Sequence, residues 1–431
     1  VCHGTFIFGA AVDLNQFKKF FKPDIEQQIA KAKSEGVKLY AIGLGDLAWD
    51  EFWYKNDYSL KDYREDISDF DLTIFSSPGN HDNDPSIADD FLAAAGFREN
   101  LNPLYYSFNI GDIHYIMMDN TLFKNSGATS TNYNVQDYTE GFTDDQMKWL
   151  KGDLATVPEG TTIIFGLHIP WTNRSQSTGK FTYAMPATYR SEVESLLSKF
   201  TVHFISGHTH TNYTNIINSK MREHNIAGVC GTWWWTGYYS KNKCRLNGDG
   251  SPSGYKIFDI NGSDVKWNFK ALARDASYQF RAYDLRNSLI TRELYCPANK
   301  NTNVSDAFFS QYANGWDKSV NTTSTRKILI NLFDYNDNWK ITVTENGANL
   351  SVSRVEAYDP LHTIFFNMGR MNSNSTSMTF PTGKSAHFFE VSTSSATSTV
   401  IIKAEDPFGR VYEETMTRPR KLYDMSKEDK W

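Results

Sequence analysis

Four apolar, β-prone stretches of this chain each run toward a glycine and then stop on a side chain able to bind a metal. Leu72 to Phe75 breaks through Pro78-Gly79 into Asn80-His81-Asp82, and Val37 to Leu44 ends on Gly45-Asp46. Thr162 to Phe165 ends on Gly166-Leu167-His168, and Val202 to Ile205 on Ser206-Gly207-His208-Thr209-His210. A strand fixes the backbone while the loop beyond it frees the side chains, so strand ends are where folds present chemistry. A single Asn-His-Asp reads equally well as an Asx-type turn. Repeated at four strand ends, the pattern points to one shared site.

The order of elements is consistent with such a site. Thr5 to Ala11 reads as a strand. Gln16 to Ser34 carries apolar residues three or four apart and reads as helix, with Pro23 dividing it. Helices are also expected over Leu60 to Phe70, over Pro85 to Ala95 behind an Asp84 cap, over Asp144 to Leu154, and over Ser191 to Phe200. Tyr105 to Asn109 and Ile113 to Asp119 form a hairpin pattern, and Asn120 to Tyr138 reads as a loop. Alternating strands and helices imply sheets with helices packed outside, and all four ligand-bearing turns then lie beyond strand carboxyl ends. From about Ala273 short alternating runs take over, with Glu345-Asn346-Gly347 as a hairpin turn. The chain therefore divides into residues 1–272, a catalytic unit, and 273–431, an all-β, sandwich-like accessory unit.

Composition narrows the function. The chain has 431 residues, 40% of them hydrophobic and 22% charged, which suits an ordinary soluble globular protein of two or three domains. A net charge of −6 without a basic block recommends neither a nucleic-acid nor an anionic-membrane partner. No apolar run approaches the roughly 18 residues of a membrane span. The chain opens on Val1-Cys2-His3-Gly4 with no leader pattern, as a mature or trimmed product does. Cys2, Cys230, Cys244 and Cys296 fit no zinc-finger spacing; Cys230 and Cys244 flank a turn-rich stretch compatible with a disulfide, and free buried thiols are the alternative. Abundant aromatic, Asn, Ser and Thr residues favour a periplasmic or extracellular location over the cytoplasm. Oligomeric state is not legible.

Asp46, Asn80, His168, His208 and His210 offer oxygen and imidazole donors, a mixture suited to Zn, Mn or Fe rather than calcium. Two such ions about 3.5–4 Å apart polarise a phosphoryl group and generate hydroxide near neutral pH. His81 can act as general acid toward a departing alkoxide, with Asp50 or Asp82 orienting its ring. His203, inside an apolar strand, reads as a satisfied core or surface histidine; His224 reads as exposed; Asp249 reads as a turn residue; His114 sits in a hairpin and is set aside. Of Trp233, Trp234 and Trp235, most pack inward, leaving Trp233 or Trp234 to line a substrate pocket.

Gly45-Asp46-Leu47-Ala48-Trp49-Asp50, Gly79-Asn80-His81-Asp82, Gly166-Leu167-His168 and Gly207-His208-Thr209-His210 together resemble, in order and spacing, the motifs of the calcineurin-like metallophosphoesterases. The resemblance covers roughly residues 5 to 270. It implies an α/β, four-layered αββα sandwich around two divalent metal ions (Mn, Zn or Fe). On this resemblance Asp46 bridges the ions, Asn80, His168 and His208 complete one, and His210 belongs to the other. Gly231-Thr232-Trp233-Trp234-Trp235 and Asp249-Gly250-Ser251-Pro252-Ser253-Gly254-Tyr255 further resemble a bacterial subgroup with its own C-terminal domain. One departure stands out: the family opens on an Asp-x-His-Gly-like motif, and here Val1 stands where that Asp belongs, leaving His3 as the candidate ligand. Omitted upstream chain and a decayed site both account for it. The implied activity is hydrolysis of a phosphate mono- or diester by in-line attack of metal-bound hydroxide, on a phosphorylated small-molecule, lipid or sugar substrate. The opposing expectation is a binding protein that kept the fold and lost turnover.

Overall fold

The computed structural model describes residues 17–48, 58–124, 137–175, 178–229, 236, 245–298, 304–318, 326–373, 376, 378 and 380–422. The expected strand from Thr5 to Ala11 lies outside them, as do His3, Asp50, Trp233, Trp234 and the Cys230–Cys244 pair. Cys296 is a free, buried thiol.

Helical structure begins with a π turn, Phe17–Phe21, and continues as the α-helix Lys22–Glu35. Pro23 sits in its first turn, where its missing N–H costs nothing, and Gly36 closes it in the left-handed conformation at φ 67°. Leu60–Ser68 and Asp144–Leu154 each start with a capping box, Ser59 with Asp62 and Thr143 with Gln146. The expected helix from Pro85 to Ala95 starts late. Asp84 spends its carboxylate on Ser86, and Asp89 caps the short helix Asp90–Ala93, followed by Ala95–Asn100.

Strands Tyr40–Gly43 and Thr73–Ser76 pair in parallel. A six-stranded sheet runs in the order Tyr213–Ile216, Met221–Asn225, Thr201–Ser206, Thr162–Gly166, Ile113–Met117, Tyr106–Ile110. Its inner pairings are parallel, and only its two outermost pairings are antiparallel. Side-chain alternation along each strand separates the packing on its two faces. Ile113, Tyr115, Ile164 and Ile205 face Ile42, Leu44, Phe258 and Val265 in a core between the two sheets. Ile116, Ile163, Phe165 and Phe204 instead meet Leu150, Leu154, Val193 and Leu197 of the helices Asp144–Leu154 and Ala187–Leu197. On the opposite outer side, Ile29, Tyr63, Ile67 and Phe97 cover Leu72 and Ile74. The layers are therefore helix, sheet, sheet, helix, the arrangement implied by the sequence.

Beyond Ala273, two four-stranded antiparallel sheets face each other over Ile328, Ile330, Val343, Val391 and Ile402, which bears out the β-rich C-terminal region. The unit expected to be all-β also contains Pro360–His362, Thr363–Met368 and Gly369–Asn372, a continuous helical stretch sunk into the core with Leu361, Phe365, Met368 and Met371. Buried contacts tie the two regions together. Lys256 Nζ lies 2.8 Å from Asp334 Oδ1, and Arg281 donates to the Gly250 carbonyl at 2.9 Å. Gly250 has φ 81°, and a Cβ there would overlap the Asp359 carboxylate.

Candidate metal centre

Parallel pairing aligns the loops that carry the candidate ligands. Gly43 stands opposite Ser76, so Gly45-Asp46 and Gly79-Asn80 emerge side by side. Gly166 stands opposite Ile205, which sets His168 beside Gly207-His208, and the Gly207 N–H donates to the His168 carbonyl at 3.0 Å. The first two loops touch through their glycines. A Cβ on Gly45 would sit 2.6 Å from both the Gly79 nitrogen and His168 Nδ1, and one on Gly79 would overlap the Asp46 amide and carboxylate. Asp46, His208 and His210 all take left-handed backbone angles, φ 53°, 66° and 55°. Such conformations cost of order 1–3 kcal/mol each and cluster where a side chain must be aimed for function.

Four donor atoms converge. His168 Nε2 lies 2.9 Å from Asn80 Oδ1, 3.2 Å from Asp46 Oδ2 and 3.2 Å from His208 Nδ1. His208 Nδ1 lies 3.0 Å from Asn80 Oδ1. The other His168 nitrogen, Nδ1, is 2.6 Å from the Leu44 carbonyl oxygen, which can only accept. In the neutral imidazole the proton is therefore held at Nδ1, and Nε2 turns a lone pair toward two acceptor oxygens. Electrostatics favour positive charge beside Asp46. Burial opposes charge on Asp46, yet His168, His81 and His208 outweigh it and hold the carboxyl well below the usual range. Burial likewise disfavours a charged His168, but Asp46 outweighs it and raises the imidazole. A buried carboxylate, an amide oxygen and two imidazoles, of which His208 is kept neutral because burial holds its pKa down to about 3, fit a divalent cation. Asp46, His168 and His208 form a group able to hold one ion.

His210, half-buried, lies within reach of the charges of Asp46, His81 and His168, and burial drives its pKa down to about 4, leaving a neutral donor. The His81 backbone N–H donates to Asp46 Oδ1 at 3.0 Å, and its imidazole acts electrostatically on the Asp46 carboxylate. Asp82 is fully buried and accepts from the N–H groups of Leu47, Ala48 and Gly79 at 2.7, 3.1 and 2.8 Å. It braces the two glycine loops against each other. Burial and the nearby Asp46 charge push its pKa up to about 6.

Sequence reasoning missed the second layer. Asn120 Oδ1 accepts from the N–H groups of His168 and Ile169 at 3.2 and 3.0 Å, and its Nδ2 donates to the Ile169 carbonyl at 2.7 Å. Asn120 follows strand Ile113–Met117, so the strand-end rule could have found it. Glu223 accepts from Trp171 N–H at 2.6 Å, Thr172 N–H at 2.5 Å, Ser206 Oγ at 2.7 Å and the Thr172 hydroxyl, tying the His168 loop to the His208 strand. Asn225 donates to the Gly207 carbonyl at 2.6 Å and accepts from Thr209. Tyr138 stands edge-on to His208, ring centroids 6.3 Å apart. Burial, with Asp46 and Glu140, pushes its phenol up to about 12.

Two expectations change. His224 is fully buried rather than exposed, 3.0 Å from His203, which is the core histidine expected. Asp249 does turn the chain through Ser251, but it is buried and also reaches His387 at 3.2 Å. His114 is buried against Asn109 and Asp153, away from the centre.

The family model for calcineurin-like phosphoesterase matches residues 12–212, and that for the C terminal of calcineurin-like phosphoesterase matches residues 223–412. The chain belongs to the calcineurin-like phosphoesterase family and carries that family's C-terminal region. Among curated proteins it is similar to purple acid phosphatase 23 of Arabidopsis thaliana, 28% identical over 144 residues, covering 31% of this chain and 27% of that protein. It is similar also to purple acid phosphatase 22 of the same plant, 30% identical over 133 residues, covering 30% and 25%. The chain thus spans about a quarter of the length of these relatives. Similar solved structures include a dimetal phosphatase from Danio rerio, with TM-score 0.32 and 15% identity over 49% of this chain and 78% of that one. A 5'-nucleotidase from Candida albicans gives TM-score 0.33 and 12% identity over 56% and 44%.

Proposed function

We propose that this chain hydrolyses a phosphate mono- or diester at a centre holding two divalent cations. The observation that carries the reading is the convergence of Asp46, Asn80 and His208 donor atoms within 2.9–3.2 Å of His168 Nε2, from the ends of four strands. Asp46, Asn80, His168 and His208 hold one cation, while Asp46 and His210 contribute to the other. Bound cations supply positive charge for the phosphoryl oxygens and acidity for a water nucleophile. The residues themselves do the rest. Leu44 fixes the tautomer of His168, Asp82 and the paired glycines keep the first two loops in contact, and His81, adjacent to Asn80, delivers a proton to the departing oxygen. His3 keeps the ligand role that the family resemblance implies, Asp50 that of orienting the His81 ring, and Trp233 or Trp234 that of lining a substrate pocket, while residues 273–431 act as an accessory domain. No helix among the described residues is long and apolar enough to cross a membrane.

The test is turnover of 4-nitrophenyl phosphate and bis(4-nitrophenyl) phosphate by the full chain, chelated and then reloaded with Mn or Zn. Hydrolysis of either, lost on chelation and restored by metal, supports the reading. Cation binding without turnover of any phosphoester would instead mark a binding protein.

A further inference from the structure

Tyr138 opens strand Tyr138–Glu140, which pairs antiparallel with Thr121–Phe123. That partner strand begins directly after Asn120, the fully buried amide that grips the backbone of His168 and Ile169. The hairpin is thus fastened to the metal-ligand loop at its base. At the other end the Tyr138 ring meets the His208 ring at 86°, with centroids 6.3 Å apart. Tyr138 is neither sunk in the core nor fully open to solvent, and its hydroxyl has no hydrogen-bond partner among the described residues. The hydroxyl is not among the buried polar atoms that lack a partner, so it is open to solvent beside the centre, where a ligand can meet it.

We infer that the Tyr138 hydroxyl is a substrate-binding donor, directed to a phosphoryl oxygen held at the Asp46–His168–His208 centre. This rests on the phosphoesterase reading of that centre. Phosphoryl oxygens are strong acceptors, and Asp46 and Glu140 nearby rule out a second anion as a comfortable neighbour unless cations and donors surround it. A neutral donor fixed beside His208 answers that need without competing for the metal. It also favours substrates whose phosphate carries a free, charged oxygen on the side of the hairpin.

The experiment uses the metal-loaded full chain and its Tyr138→Phe variant, which keeps the ring against His208 and removes only the oxygen. Cation affinity and inorganic phosphate affinity are measured separately by calorimetry. The inference predicts phosphate binding weakened about 10- to 100-fold, as for loss of a hydrogen bond to a charged group, with cation affinity unchanged. Equal phosphate affinity in the two proteins overturns it. So does a parallel loss of cation affinity, which would make Tyr138 a support for the metal ligands. Wild-type protein that binds cations but no phosphate would overturn the phosphoesterase reading itself, and this inference with it.

Discussion

Glu223 Oε1 accepts the Trp171 amide proton at 2.6 Å and the Ser206 hydroxyl at 2.7 Å, so one carboxylate oxygen joins the loop after His168 to the strand before His208. Burial raises the pKa of this carboxyl, partly offset by the donors that surround it. Glu223→Ala leaves those donors without an acceptor in a dry interior. Loss of about 3 kcal/mol or more is expected in urea unfolding. Asn225→Ala acts closer to the ligands, through Gly207 and Thr209. It is expected to weaken cation binding about 10- to 100-fold with a smaller loss of stability. A variant that loses stability but binds cations normally would show that Asn225 does not position the histidines.

Gly79 offers a steric test. Gly79→Ala drives a methyl into Asp46 and brings it 2.9 Å from His168 Cε1, so cation binding and activity should both collapse. Gly152→Ala is the control. It lies in the exposed face of helix Asp144–Leu154 with nothing within 4 Å of its Cβ, and should stabilise by roughly 0.5–1 kcal/mol without touching activity. Comparable activity in the two variants would contradict the contact between the loops.

Acid chemistry is separable from metal binding. His81→Ala should lower turnover roughly 10²–10⁴-fold on alkyl phosphates, whose leaving groups need a proton. Activated aryl esters should suffer much less. Equal losses on both would make His81 structural or a ligand.

His203 and His224 predict acid lability. Burial, aided by Arg222, holds His203 down to about 3, and burial with Lys256 holds His224 well below its ordinary range. The unfolded chain takes up these protons near pH 6.5 while the fold refuses them. Stability contributed by the neutral pair is therefore present above about 6.5 and lost as pH falls toward about 3. Asp119 works oppositely: burial raises it to about 8, so its contribution fades as pH rises. Comparing wild type with a His203→Gln/His224→Gln variant cancels that second effect. Between pH 7 and 5 the wild type should lose about 2–4 kcal/mol more than the variant in urea unfolding. Parallel pH profiles would show that the pair is not held neutral.

Much of the site was legible because parallel strands deliver their carboxyl ends to one edge, and four of those ends carry ligand types after glycine. Helix Asp144–Leu154 was readable to the residue, since Thr143 and Gln146 mark its start chemically. Other features depend on partners far away in the chain. Glu223 and Asn225 look like ordinary polar strand residues until the His168 and His208 loops fold over them. His224 sits among polar neighbours in the sequence, and its burial comes from Phe258 and Trp267. The helical stretch from Pro360 to Asn372 is buried nearly all round, so it shows no polar face from which a 3.6-residue period could be read. Asp84 and Asp89 are both competent caps, and only the fold shows which one starts the helix.

Cation binding by Asp46, Asn80, His168 and His208 underlies the proposed function. It is tested most directly by calorimetric titration of Mn or Zn into chelated full-length protein, alongside His168→Ala and Asp46→Asn variants whose folding is checked by circular dichroism. The structure predicts tight binding by the wild type and affinity lowered about 100-fold or more in both folded variants. Unchanged affinity in either variant would place the cation elsewhere and contradict the assignment of this centre.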